Sequence, residues 1–230
     1  MLATPTGKWW RVGGAAGIIF SVGFVVLYAV VIANAPMFDD PIGEIREFYA
    51  DDATKVLFFT WAVSLLMVFA FLPFAATLRS LLRSGDDSGG LWSRLSFVGA
   101  VLAVALGGAG TAFATSLSLG NIDGLSDALV RTLVQMDAIA YQFGMGWGIA
   151  LFVAAASVVV LRSGVLWKWL GWLGLASALL HVVGALWIID GDSDSVLAIL
   201  ALVSFLAAIA WMLLAGIAMV NKESLDATAP

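Results

Sequence analysis

Six runs of apolar residues divide the chain, approximately 12–34, 56–78, 95–118, 139–161, 169–189 and 196–220. Each is long enough to cross about 30 Å of hydrocarbon, which takes roughly 20 helical residues. Backbone in lipid has no water to bond to, so a spanning segment must be a helix or part of a closed barrel. The runs are continuously apolar instead of alternating, and that selects helix. The expectation is an all-α polytopic membrane protein, one integral domain over residues 1–230. It has a bundle of six transmembrane helices and a short amphipathic helix in an outer loop. Composition agrees, because 62% hydrophobic and 12% charged residues leave too little polar surface to cover a water-soluble domain of this size.

The first run also has features of a leader peptide. Lys8 and Arg11 precede it, and Ala33-Asn34-Ala35 resembles a leader-peptide cleavage site. From Val12 to Ala33 it is 22 residues, longer than the apolar region of a leader, and Pro36 follows the would-be cut. It reads as a retained first span. Pro73 falls inside the second span, where it removes a backbone donor and is expected to kink the helix near its end.

The cations set an orientation. With the N-terminus in the cytoplasm, the inner segments carry eight: Lys8, Arg11, Arg79, Arg83, Arg94, Arg162, Lys168 and Lys222. The outer segments carry three, Arg46, Lys55 and Arg131. The acids run the other way, twelve outside and four inside. This predicts a multi-pass protein of a bacterial inner membrane with both termini cytoplasmic.

Each helix leaving the inner side starts with tryptophan and a cation: Trp9-Trp10-Arg11, Trp92-Ser93-Arg94 and Trp167-Lys168-Trp169, with Trp172 a turn on. Indoles favour the headgroup level because an apolar ring carries an N–H that seeks a wet partner. The spacings from Trp10 to Trp92 to Trp167, 82 and 75 residues, admit a threefold repeat of hairpins. No other repeated residues line up, so the anchor reading is preferred.

The stretch from Phe152 to Gly174, F-V-A-A-A-S-V-V-V-L-R-S-G-V-L-W-K-W-L-G-W-L-G, resembles the signature of a bacterial six-helix membrane family, domain of unknown function 4386. Arg162, Ser163, Trp169, Leu170 and Gly174 fit that pattern, and Trp167 stands where the family tends to carry proline. The resemblance implies a six-helix fold in a membrane and brings no chemistry with it.

Few residues suggest a site. There is no cysteine and one histidine, which excludes thiolate chemistry and any site needing two imidazoles. In the first outer loop, Asp40 as N-cap and Pro41 at the first position start a short helix. Ile42, Ile45, Phe48 and Tyr49 share one face of it, with Glu44, Glu47 and Asp51 opposite. It reads as a solvated interfacial helix over the bundle mouth, or else as a lid. Asp127 to Gln142 extends the fourth span outward, and Arg131 is expected to pair with acids of the first loop. Asp190-Gly191-Asp192-Ser193-Asp194 begins like a calcium loop, but Ser195 and Ala201 stand where glycine and glutamate are needed, so a tight polar turn is expected.

His181 lies twelve residues past Trp169, about 18 Å along the helix and near the midplane. An ionisable group at that depth should face the bundle interior. Its expected partners are neutral: Thr60, Ser64, Thr111, Thr115 or Gln142. Gly107, Gly108 and Gly110, with Gly144, Gly146 and Gly148, form small-residue faces such as Gly144/Gly148 and Gly107/Thr111 for close helix packing.

Two functional classes stay open. One is a non-enzymatic lipid-binding or accessory component, with membrane lipids, a partner subunit or a second copy as partners, no nucleic acid and no cofactor. The other is a small transporter or intramembrane enzyme for a lipophilic substrate, with His181, Gln142, Tyr141, Thr111 and Thr115 around the ligand. The first is preferred because the sequence offers no nucleophile–base pair, no metal-ligand set and no catalytic motif.

Overall fold

The structure is a computed structural model that describes residues 7–32, 34–120, 122–190, 192 and 195–226, with side chains at most positions from Trp9 to Lys222. It is 87% helical, with no strand among the described residues. Seven helices organise the described residues. Helix α1, Gly7–Leu27, runs on through a π turn at Tyr28–Ile32. The short α2 is Ile42–Asp51. The remaining spans are α3 (Ala53–Arg83), α4 (Leu91–Leu119), α5 (Asp127–Ser163), α6 (Lys168–Ile189) and α7 (Val196–Asp226). Helix α1 and helices α3 to α7 are long and apolar enough to cross a membrane, and they match the six runs read from sequence. This is a multi-pass membrane protein.

Each span packs on the next in sequence, and α7 returns to α1 to close a ring. The middle is filled by aromatic rings. Phe152 of α5 meets Phe71 at 5.4 Å, Phe74 at 6.1 Å and Trp211 of α7 at 5.8 Å, all edge to face. That geometry sets the positive edge of one ring against the negative face of another. The Trp211 indole N–H, fully buried, donates to the Leu170 carbonyl at 2.9 Å. Glycines permit the tightest crossings. A Cβ on Gly14 would sit 2.5 Å from the Gly216 carbonyl oxygen, and one on Gly99 would collide with the Phe152 nitrogen.

Pro73 is accommodated by a local widening. The turn before it, Met67–Phe71, is a π turn, and the Leu72 N–H bonds to the Met67 carbonyl five residues back. A proline ring collides with the carbonyl four residues earlier, and a π turn gives that carbonyl room.

The basic end is tied together by Arg162 and Asp87, 3.5 Å apart, and by Lys222, which donates to the Val165 carbonyl at 3.4 Å. The Arg79 guanidinium lies over the Phe97 ring at 5.4 Å. Trp169 and Trp172 are exposed on the outer surface of the bundle, and Trp167 stacks on Trp169 at 5.8 Å. In the turn between α3 and α4, Asp86 accepts from the Ser93 amide at 2.8 Å and from both the amide and the hydroxyl of Ser88. Partial burial works to raise its pKa. The hydrogen bonds, which favour the carboxylate, outweigh burial and hold it below the usual carboxylate range.

Candidate functional site

At the acidic end α2 is docked rather than solvated. Ile45 and Tyr49 are buried against Val56, Leu117, Ile122, Val130 and Val134, a small second core above the spans. The apolar face read from sequence is the one that docks. Two arginines pin the cap, and Arg131 does not do so as expected. Arg131 donates to the backbone carbonyls of Phe38 (2.8 Å) and Asp40 (3.0 Å), not to acidic side chains. Arg46 ion-pairs with Asp127 at 2.7 Å and donates to the carbonyls of Ile122 and Leu125. Asp40 is not the N-cap of α2. Its carboxylate takes the Met37 amide at 2.7 Å, and Pro41 stands at the cap position. Phe38 stacks on Trp187 at 5.6 Å, joining the cap to the end of α6. In the calcium-like turn, Gly191, Ser193, Asp194 and the side chain of Asp190 lie outside the described residues, as does Ala33 of the cleavage-like triplet.

Below this cap a cavity of about 150 Å³ lies between α3, α4 and α5. Val63, Ser64, Met67 and Val68 wall it from α3, Val104, Gly107, Gly108 and Thr111 from α4, and Tyr141 and Met145 from α5. Ser64, Val68 and Gly108 are exposed, so it opens sideways between α3 and α4, onto the surface that meets lipid. Sequence reading assigned the Gly107/Thr111 face to helix packing. Gly107 does touch Met145, but both residues also wall the cavity, and a Cβ on Gly108 would meet nothing within 4 Å. The α4–α5 seam does close at Gly110 against Ala140 and at Gly144 against Leu106, and it is closest lower down, at Gly99 and Gly148, where backbone meets backbone.

A π turn at Ala140–Met145 carries Tyr141 and Met145, and it closes with the Gly146 N–H on the Tyr141 carbonyl. Such turns redirect side chains and recur at functional sites. Of the five residues singled out in the sequence, Thr111 and Tyr141 meet in this cavity. Thr115 and Gln142 are half-buried and do not line it. His181 is elsewhere. Its ring is buried beside Gly146, where a Cβ would lie 3.7 Å from Cδ2. Its Nδ1 sits 3.1 Å from the Ser177 carbonyl of its own helix, which can only accept, so the proton is on Nδ1. None of the five neutral partners expected for it fills that role.

The residue that sequence reading missed is Asp137. It counts there among the acids of the outer side. In the fold, its Oδ1 is buried and has no hydrogen-bond partner among the described residues. Tyr49 packs in the second core with Val130 and Val134, of the turns above Asp137 on α5, and Tyr141 lies one turn below it. Burial, and after it the Asp137 charge, pushes the Tyr49 phenol above its ordinary value. No periodicity marks Asp137 as special, because its burial depends on α2 folding back over α5.

Compared with known proteins, the chain matches no family model, no curated protein and no solved structure. The fold and the site therefore define its class: a six-span helical membrane protein with a capped acidic end and a side-opening cavity.

Proposed function

We propose that this chain is a non-enzymatic component of a bacterial inner membrane, with both termini cytoplasmic, that holds a lipid chain in the cleft between α3 and α4. The observation that carries the reading is the cavity itself, mostly apolar in its walls and open sideways towards lipid. A cavity of this size in an apolar interior accepts a guest on the scale of benzene, and a few methylenes of a chain are comparable. The ring centre is packed with Phe71, Phe74, Phe152 and Trp211, which supports binding at the side rather than passage through the middle. The eight-to-three split of cations supports the orientation. The Phe152–Gly174 resemblance supports the same six-span plan. A transporter or enzyme centred on His181 has no observation of its own in its favour.

The test uses protein in phosphatidylcholine nanodiscs with dodecanol carrying a diazirine near its chain end. Labelling should concentrate at Val104 and Met145 and fall at least fivefold in Gly108→Leu, which fills the cavity mouth. Labelling spread evenly over lipid-facing positions such as Leu179 and Val203, or unchanged in Gly108→Leu, would refute it.

A further inference from the structure

The cleft has a polar upper end that lipid chains alone do not explain. Asp137 lies four residues before Tyr141 on the same face of α5, about 6 Å nearer the acidic end. Tyr141 walls the cavity one turn below Asp137, and Tyr49 packs in the cap core with Val130 and Val134 of the turns above it, so along α5 the carboxylate lies between the levels of the two phenols. Both arginines of the cap are engaged elsewhere, Arg46 with Asp127 and Arg131 with backbone carbonyls. The buried Oδ1 has no partner among the described residues. A buried carboxylate oxygen left unpaired is unfavourable, so it draws a proton or a donor. Carboxylate and aromatic rings together are the surroundings that favour an ammonium group, through ion pairing and through the negative faces of the rings.

We infer that Asp137, Tyr49 and Tyr141 receive the ammonium group of an amine-bearing amphiphile whose chain enters the cavity beside Thr111 and Met145. The depth order suits this, with the charged end just under the cap and the chain one to two turns further into the membrane. The inference rests on the cleft reading and adds the headgroup chemistry to it.

The same nanodiscs test it with three diazirine probes of equal chain length: dodecylamine, its N-acetyl derivative and dodecanol. The amine should label Val104 and Met145 at least fivefold more than either neutral probe. In Asp137→Asn that excess should vanish while dodecanol labelling stays as in the parent. Equal labelling by all three probes, as expected of a protonated Asp137 that needs no cation, overturns the inference and leaves the cleft reading standing. An amine excess that survives Asp137→Asn also overturns it. Failure of dodecanol to label the cleft would instead remove the cleft reading and the inference with it. If Asp137→Asn does not fold, the N-acetyl probe still decides, because acetylation removes the charge with the protein unchanged.

Discussion

Gly148→Ala probes a crossing where helix backbone meets helix backbone. A Cβ there would collide with the Ala103 nitrogen and lie 2.7 Å from its Cα and 2.8 Å from the Gly99 carbonyl oxygen. All three are helix backbone and cannot swing aside. Ordinary contact begins near 3.4 Å, so α4 and α5 must part by about 1 Å at this point. A gap of that size forfeits roughly a quarter to a half of the dispersion energy of each contact across it. The seam holds Ala100, Ala103 and Phe152, all fully buried. Overpacking of this kind costs about 1–3 kcal/mol, and the lost contacts add to that. Alanine recovers about 1 kcal/mol in helix propensity. The net expectation is a loss of about 2 kcal/mol, a melting temperature lower by roughly 4–8 °C for a chain this long. Gly108→Ala is the control on the facing helix. Its Cβ meets nothing within 4 Å, so only the propensity gain applies and melting should hold or rise. Tryptophan fluorescence during heating in detergent reads both. A Gly148→Ala protein as stable as Gly108→Ala would show that the α4–α5 seam is not limited by backbone contact.

Arg46→Ala removes a clamp with three partners and should cost about 1.5–3 kcal/mol locally; hydrogen exchange should quicken over 42–51 and 122–130 but not in α7, and unchanged protection of the cap would contradict the clamp. Asp86 has a depressed pKa in the folded protein, so its contribution to stability is full above the unfolded value near 4 and is lost as pH falls through the lower folded value; the melting temperature of Asp86→Asn should therefore be below the parent's at pH 6 and converge on it below pH 4, and a constant gap would refute this. His181→Leu should change stability by less than about 1 kcal/mol, since the Ser177 carbonyl keeps its helical bond from the His181 backbone N–H. A drop of 2 kcal/mol or more, measured by thermal melting, would reveal a contact to another helix. For orientation, an impermeant thiol reagent on intact cells should label D192C and spare D87C, and the reverse pattern would invert the proposed topology.

The helices and their number are legible in the chain read alone, because crossing hydrocarbon demands long apolar runs and each run announces itself without reference to any other. So are the apolar face of α2 and the places where tryptophans gather, since these are properties of one helix at a time. What lies beside what is settled only when the helices pack. Asp137 looks like any acid of an outer loop until α2 folds over α5 and covers it. Gly108 looks like packing surface until α3 leaves space opposite it. His181 looked in need of a partner on another helix, but a carbonyl one turn back on its own helix serves. Trp211 carries no mark distinguishing it from the anchor tryptophans, yet it is buried at the ring centre on the Leu170 carbonyl. One cause underlies all four. Hydrophobicity and helical period act along the chain, whereas burial, hydrogen-bond partnership and cavities are set by the distance between segments far apart in sequence.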